Sequence, residues 1–152
     1  DYTVEFEPFA AGLEEEGKGV VLASLGEASG SVPYTAFSAK KSYLENNPEA
    51  IQAFVNAIQK GLEFVREHEP AEIAEVIQPQ FQETKREKII TIVTRYKNQD
   101  TWKENQIFEK DSFDLLQKIL TEGGVLKGNV PYDKLIDTRF AKKAVEADSA
   151  VK

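Results

Sequence analysis

Residues 26–54 read GEASGSVPYTAFSAKKSYLENNPEAIQAF, and the order of elements along this stretch decides the fold. Gly26–Val32 is small and polar and predicts a loop. Pro33–Ala39 predicts a strand with Tyr34 and Phe37 as its bulky residues. A short helix follows, from Ser38 or Ala39 to Asn46. Asn47 then suits an N-cap, Pro48 the first helical position, and Glu49 the positive end of a helix. Ile51, Phe54, Val55, Ile58, Leu62 and Val65 recur at spacings of three and four. That stripe predicts an amphipathic helix of the kind that packs on a sheet, too narrow for a bilayer.

Upstream, Tyr2–Glu7 alternates as a strand with Tyr2, Val4 and Phe6 on one face. Pro8 suits the first turn of a helix over Phe9–Glu16, stopped by Gly17 and Gly19. The β-branched run Gly19–Leu25, GVVLASL, predicts a buried strand, so the front of the chain reads as a βαβ unit. Downstream the pattern is helical. Glu69-Pro70 opens Ala71–Ile77, which Pro79 closes. Lys85–Tyr96 carries Ile89, Ile90, Val93 and Tyr96 as its core face. Ser112–Thr121, capped by Asp111 or Ser112, carries Phe113, Leu116, Ile119 and Leu120 and stops at Gly123-Gly124. Asn129–Asp137 is a turn around Pro131-Tyr132, Thr138–Ala147 a last helix, and Asp148–Lys152 a tail expected to fray. The expected class is α/β, with few strands before residue 40 and mainly helix after it. The front looks like the end of one α/β lobe, and the back like the helical cover of another.

The 152 residues suit one domain with a usable core. Twenty-six acidic against 19 basic residues give a net charge of −7. That balance argues against nucleic-acid binding, which needs a basic face to displace counterions. It leaves room for an anionic small ligand, because a cleft can be locally positive on an acidic protein. The absence of Cys removes disulfides, thiol nucleophiles and Cys-based metal sites. No apolar run approaches the roughly 20 residues that span a bilayer. No Ser-His-Asp set, metal-ligand spacing or phosphate loop is visible, and no cofactor or metal is expected. The opening DYTVEF reads as the inside of a strand, and the chain has no Met. The expectation is a processed or excised piece, with room upstream for a signal sequence or a lipid anchor.

Three segments together carry a family resemblance. Asp1–Phe9, DYTVEFEPF, has an acidic residue opening a strand that ends in an aromatic-acid-Pro-aromatic corner. Gly30–Ala39, GSVPYTAFSA, is similar to a return strand, and Ser42–Phe54, SYLENNPEAIQAF, to a helix opened by Asn-Pro-Glu. In this order they resemble the second half of ABC-transporter solute-binding proteins of the sulfonate, nitrate, taurine and thiamine-precursor type. Tyr96–Trp102 and Phe113–Gln117 resemble the helical C-terminal part of that family. The resemblance implies a two-lobe periplasmic-binding-protein-like fold of which this chain is a fragment. Residues 1–33 would end the second lobe, 34–147 would form the crossover strand and C-terminal helices of the first, and 148–152 the frayed tail. It implies an extracytoplasmic protein, in the periplasm or at the cell surface. Its two lobes would close on a small organic solute and dock on the membrane permease of an ABC importer. A fragment of this kind is expected to expose apolar helix faces and to self-associate through them.

The residues implied at the cleft are Phe6, Glu7 and Phe9 at the corner, and Ser29, Gly30, Ser31 and Tyr34 at the crossover. Each has a plainer reading. The three aromatic rings stack on a ligand or fill an ordinary core. Glu7 anchors a cationic or hydrogen-bond-donating solute such as an aminopyrimidine, or simply sits near a helix N-terminus. Ser29-Gly30-Ser31 is an anion nest or a turn. His68 reads as a cation at a helix C-terminus. Glu14-Glu15-Glu16 reads as solvated surface rather than a cation site, and Trp102 as a pin between helical segments rather than a ligand stacker. One branch of the family makes the thiamine pyrimidine with a run of cysteines where this chain has Gly30–Tyr34. With no cysteine here, an enzyme is not expected. A helical protein–protein interaction domain without a small-molecule ligand is the alternative reading.

Overall fold

The computed structural model describes residues 1–149. The expected fraying at 150–152 lies outside the described residues, while Asp148 and Ser149 continue the last helix. In chain order the helices are α1 Phe9–Glu15, α2 Leu25–Ser29, α3 Lys41–Asn46, α4 Pro48–Glu67, α5 Pro70–Ile77, α6 Arg86–Asn98, α7 Lys110–Glu122, α8 Tyr132–Leu135 and α9 Arg139–Ser149. A 3-10 turn, Gln78–Gln80, follows α5 and contains Pro79.

No strand occurs among the described residues, which corrects the expectation of a few strands before residue 40, while the mainly helical reading after it holds. Residues 1–6, 19–24 and 33–39 run without ladder partners. Their apolar side chains stay exposed: Tyr2 is 90 % accessible, Val20 74 % and Phe37 76 %. Period-2 patterning reports an extended backbone with two unlike faces, but a strand also needs a neighbour to accept its N–H groups. No ladder pairs these segments, so the βαβ unit does not form. Within the expected loop at Gly26–Val32, the backbone coils into most of α2 before turning at Gly30.

The helices largely follow local chemistry. Glu69 and Glu72 form a reciprocal capping box at the start of α5, with Pro70 at its first position. Asn47 departs from its expected role. Its side-chain amide donates to the Tyr43 carbonyl at 3.1 Å, closing α3, while its own carbonyl accepts the Ile51 N–H that opens α4. A loop-free junction thus lets one Asn serve two helices. The Gly124 φ of +73° ends α7 as the Gly-Gly pair predicts.

The chain divides into two compact units, each built from two stretches: 1–28 with 64–103, and 29–63 with 104–152. The first unit centres on Ile73, Ala74, Ile89 and Val93, where α5 packs on α6. Phe64, Val65, Ile77, Ile90 and Trp102 close around them. Trp102 also meets Tyr96 edge-on at 5.6 Å, as the pinning role expects. The second unit buries Phe113 of α7 and Phe140, Ala141 and Ala144 of α9. Phe113 lies edge-on to both Phe108 and Tyr132. Here the apolar stripe of α4 is only partly covered. Phe54 is 43 % exposed, and the buried residue of that helix is Gln59. Gln106 explains it, donating to the Val55 carbonyl at 2.6 Å and approaching Gln59 Oε1 at 3.5 Å. A polar loop covers that part of α4 instead of the expected sheet.

Candidate functional site

Phe6, Glu7 and Phe9 form one corner within the first unit. The Glu7–Pro8 peptide bond is cis. The Phe6 carbonyl accepts the N–H groups of Phe9 (2.9 Å) and Ala10 (3.2 Å). Glu7 Oε2 accepts the Ala11 N–H at 3.0 Å, so the orphan donors of the first α1 turn are satisfied locally. Glu7 Oε1 forms an ion pair with Arg95 Nη1 of α6. The Glu7 side chain is only 5 % exposed. It is therefore an internal acid at a helix start, and its charge is already met by a cation. The rings on either side of it behave oppositely, with Phe6 59 % and Phe9 68 % exposed. Neither is a core aromatic in this unit.

The corner is held from α6. Arg95 Nη2 pairs with Glu14 Oε2 at 2.6 Å, and Glu14 Oε1 accepts the Val21 N–H at 2.8 Å. The Val21 amide, then Arg95, hold the Glu14 carboxyl below its ordinary value against the opposing effect of burial. Burial works to lower the Arg95 pKa, but the hydrogen bonds it donates to Glu14 and Glu7 outweigh that and raise it. The rest of the acidic run is also paired. Glu15 meets Lys88 at 2.7 Å and Glu16 meets Lys18 at 2.6 Å. Among the described residues no cluster of three or more His, Asp or Glu is placed to hold a metal ion.

Two open clefts flank this frame, both within the first unit. One, of about 500 Å³, runs from Glu5 and Phe9 past Gly12 to Lys85 and Lys88. The other, of about 520 Å³, lies between the extended residues Val21–Ser24 and the Thr91, Thr94 and Arg95 face of α6. Phe9 thus lines the first cleft, and Arg95 borders the second.

Ser29, Gly30, Ser31 and Tyr34 belong to the second unit. Gly30 adopts φ +82°, and its carbonyl accepts the Val32 N–H at 2.9 Å, making a tight turn. The Ser31 hydroxyl lies 3.4 Å from that of Ser112 on α7. A Cβ at Gly30 would come within 3.6 Å of Leu115, so the turn sits close against α7. Tyr34 beyond it is 79 % exposed. Sequence reasoning passed over Arg95 and read Glu14 as solvated surface, whereas its carboxylate is held by Arg95 and the Val21 N–H. A weak signal existed: Thr91, Arg95 and Asn98 make a polar strip along a helix otherwise read for its apolar face.

A family model described as the NMT1-like family matches residues 1–78. That span takes in Asp1–Phe9, Gly30–Ala39 and Ser42–Phe54, the segments on which the resemblance rested. The chain is 36 % identical over 143 residues to "Putative binding protein YtlA" of Bacillus subtilis (strain 168). The alignment covers 94 % of this chain and 43 % of that protein. The chain thus spans less than half the length of the curated relative it matches. No solved structure matches it. No helix among the described residues is long and apolar enough to cross a membrane.

Proposed function

The chain belongs to the NMT1-like family, and we propose that it is part of the extracytoplasmic solute-binding component of an ABC importer. The observation that carries this reading is the 36 % identity to a binding protein, sustained along 94 % of the chain. In this proposal two lobes close on a small organic solute, and the closed form delivers it to a membrane permease. In this reading the chain crosses from one lobe to the other near Pro33, as the family resemblance implies.

Phe6, Phe9 and Tyr34 are the stacking surfaces in this reading. Their large exposure supports it, since each ring keeps much of its surface outside the buried core. The Ser29-Gly30-Ser31 turn offers backbone N–H groups to a polar or anionic part of the solute. Glu7 takes a different part. Because Arg95 already compensates its charge, it does not select a cation, and its contribution is to hold the corner. The solute class stays that of sulfonates, nitrate or aminopyrimidine thiamine precursors.

The test is a thermal melt of the complete natural protein with taurine, nitrate and 4-amino-5-hydroxymethyl-2-methylpyrimidine. A true solute at a hundred times its Kd stabilises by about 2.7 kcal/mol, readily seen as a raised melting temperature. No shift with any of the three, together with capture of a defined protein partner, would favour the helical interaction domain instead.

A further inference from the structure

We infer that Arg95 is a positioning residue of this solute site, holding the Phe6–Phe9 corner in place through Glu7. The inference rests on the solute-binding reading of that corner. Phe6 and Phe9 bracket Glu7-Pro8, so the direction of both rings follows from where the Glu7 backbone is fixed. What fixes it is a carboxylate almost removed from solvent, held between the Ala11 N–H and the Arg95 guanidinium.

The anchor itself is rigid. Arg95 rises from α6, whose Ile89 and Val93 lie in the most buried cluster of the first unit. One guanidinium spans two carboxylates, with Nη1 on Glu7 and Nη2 on Glu14. A planar fork can do this, whereas a lysine ammonium is a single point charge on a flexible stem. The two halves of the fork have different consequences. The Glu7 half orients the aromatic corner. The Glu14 half leads on to the Val21 N–H and so orients the extended residues beside the second cleft. They can therefore be cut separately.

The experiment uses the complete natural protein and four variants, Arg95→Met, Arg95→Lys, Glu7→Gln and Glu14→Gln, plus the Arg95→Met/Glu7→Gln double variant. Glu7→Gln keeps an acceptor for Ala11 while removing the ion pair. Amide hydrogen exchange at Phe9, Ala10 and Ala11 should rise roughly tenfold in Arg95→Met and in Glu7→Gln, with no further rise in the double variant. Arg95→Lys should restore part of the protection. Glu14→Gln should leave those amides alone and accelerate Val21. Amides of Ile89 and Val93 should stay unchanged throughout, which a merely structural role would not allow.

Affinity is read by calorimetry with taurine, nitrate and the aminopyrimidine as probes. For whichever probe the unmodified protein binds, Arg95→Met and Glu7→Gln should weaken binding by a similar factor, while Glu14→Gln should not. Unchanged exchange at Phe9–Ala11 in Arg95→Met overturns the inference, as does equal loss of protection at Ile89 and Val93. Unchanged affinity in Arg95→Met, for a probe the unmodified protein binds, overturns it too. A protein that binds none of the three probes but still shows the corner-specific exchange response counts against the solute reading and leaves the Arg95 clamp standing.

Discussion

Lys97 Nζ lies 2.6 Å from the carbonyl oxygen of His68, at the point where α4 ends and α5 has yet to begin. The same ammonium donates to the Val65 carbonyl at 2.7 Å. The last carbonyls of a helix have no intrahelical partner, and here a lysine from another helix supplies one. His68 completes the closure by stacking on Phe64 at 3.9 Å, with its Nδ1 2.9 Å from the Phe64 carbonyl. Lys97→Met keeps much of the apolar stem and removes the donor. It should cost about 2 kcal/mol, in line with a charge-assisted bond to an orphan carbonyl. Urea unfolding followed by fluorescence of Trp102, which packs against the same core, measures it.

Acid should act on the first unit through Glu14. Its folded pKa lies below the ordinary value of 4.5, first because of the Val21 N–H and then because of Arg95. A depressed carboxyl contributes stability that is fully present above the unfolded value and is lost as pH falls through the folded one. The stability of the native protein should therefore begin to drop as pH falls below about 4.5. Glu14→Gln, which cannot ionise, should be less stable near neutrality and show a shallower acid limb. Equal slopes in the two proteins below that point would remove Glu14 from the account.

The contrast between these contacts and the helices marks what was legible in the chain. Pro48, the Glu69–Glu72 box and the Gly123-Gly124 stop are local signals, and the structure follows them. The NMT1-like likeness was legible too, because it rests on ordered short segments. The strands were not. Val20 and Leu22 have the residue type of a strand, but pairing depends on a distant neighbour that no local pattern encodes. The same limit hid the corner. Glu7 and Arg95 are 88 positions apart, so the sequence offered Glu7 as a ligand anchor or a helix-start acid with nothing to weigh them. Gln59 was equally invisible, since its burial depends on Gln106.

Gln117 makes a related case in the second unit. It is 7 % exposed, and its Oε1 accepts the Val130 N–H at 2.6 Å. That bond ties the loop after Gly124 back to α7. Gln117→Leu should preserve packing volume while leaving the Val130 amide without its acceptor. Val130 is 40 % exposed, so water partly replaces the bond and the cost should stay near about 1 kcal/mol. The clearer sign is local: exchange at the Val130 amide should accelerate while amides within α9 do not change.

Tyr132 sets the alkaline response. Its hydroxyl donates to the Phe108 carbonyl, and its ring meets Phe113 edge-on at 5.6 Å. Burial raises its pKa above the ordinary 10.0, with the carboxylates of Glu109 and Asp133 adding to the effect. For an acid whose folded pKa is raised, the neutral form stabilises the fold below the unfolded value. That contribution is lost as pH rises through the folded pKa. Tyr132→Phe keeps the ring contacts and removes both the donor and the titration. Near neutral pH it should be less stable by about 1 kcal/mol, the usual net worth of one hydrogen bond. Above pH 10.0 the gap between the two proteins should close, because only the native one loses stability at this site. Parallel urea titrations on either side of that value decide the matter. A gap that stays constant would mean that the hydroxyl does not hold its proton more tightly in the fold.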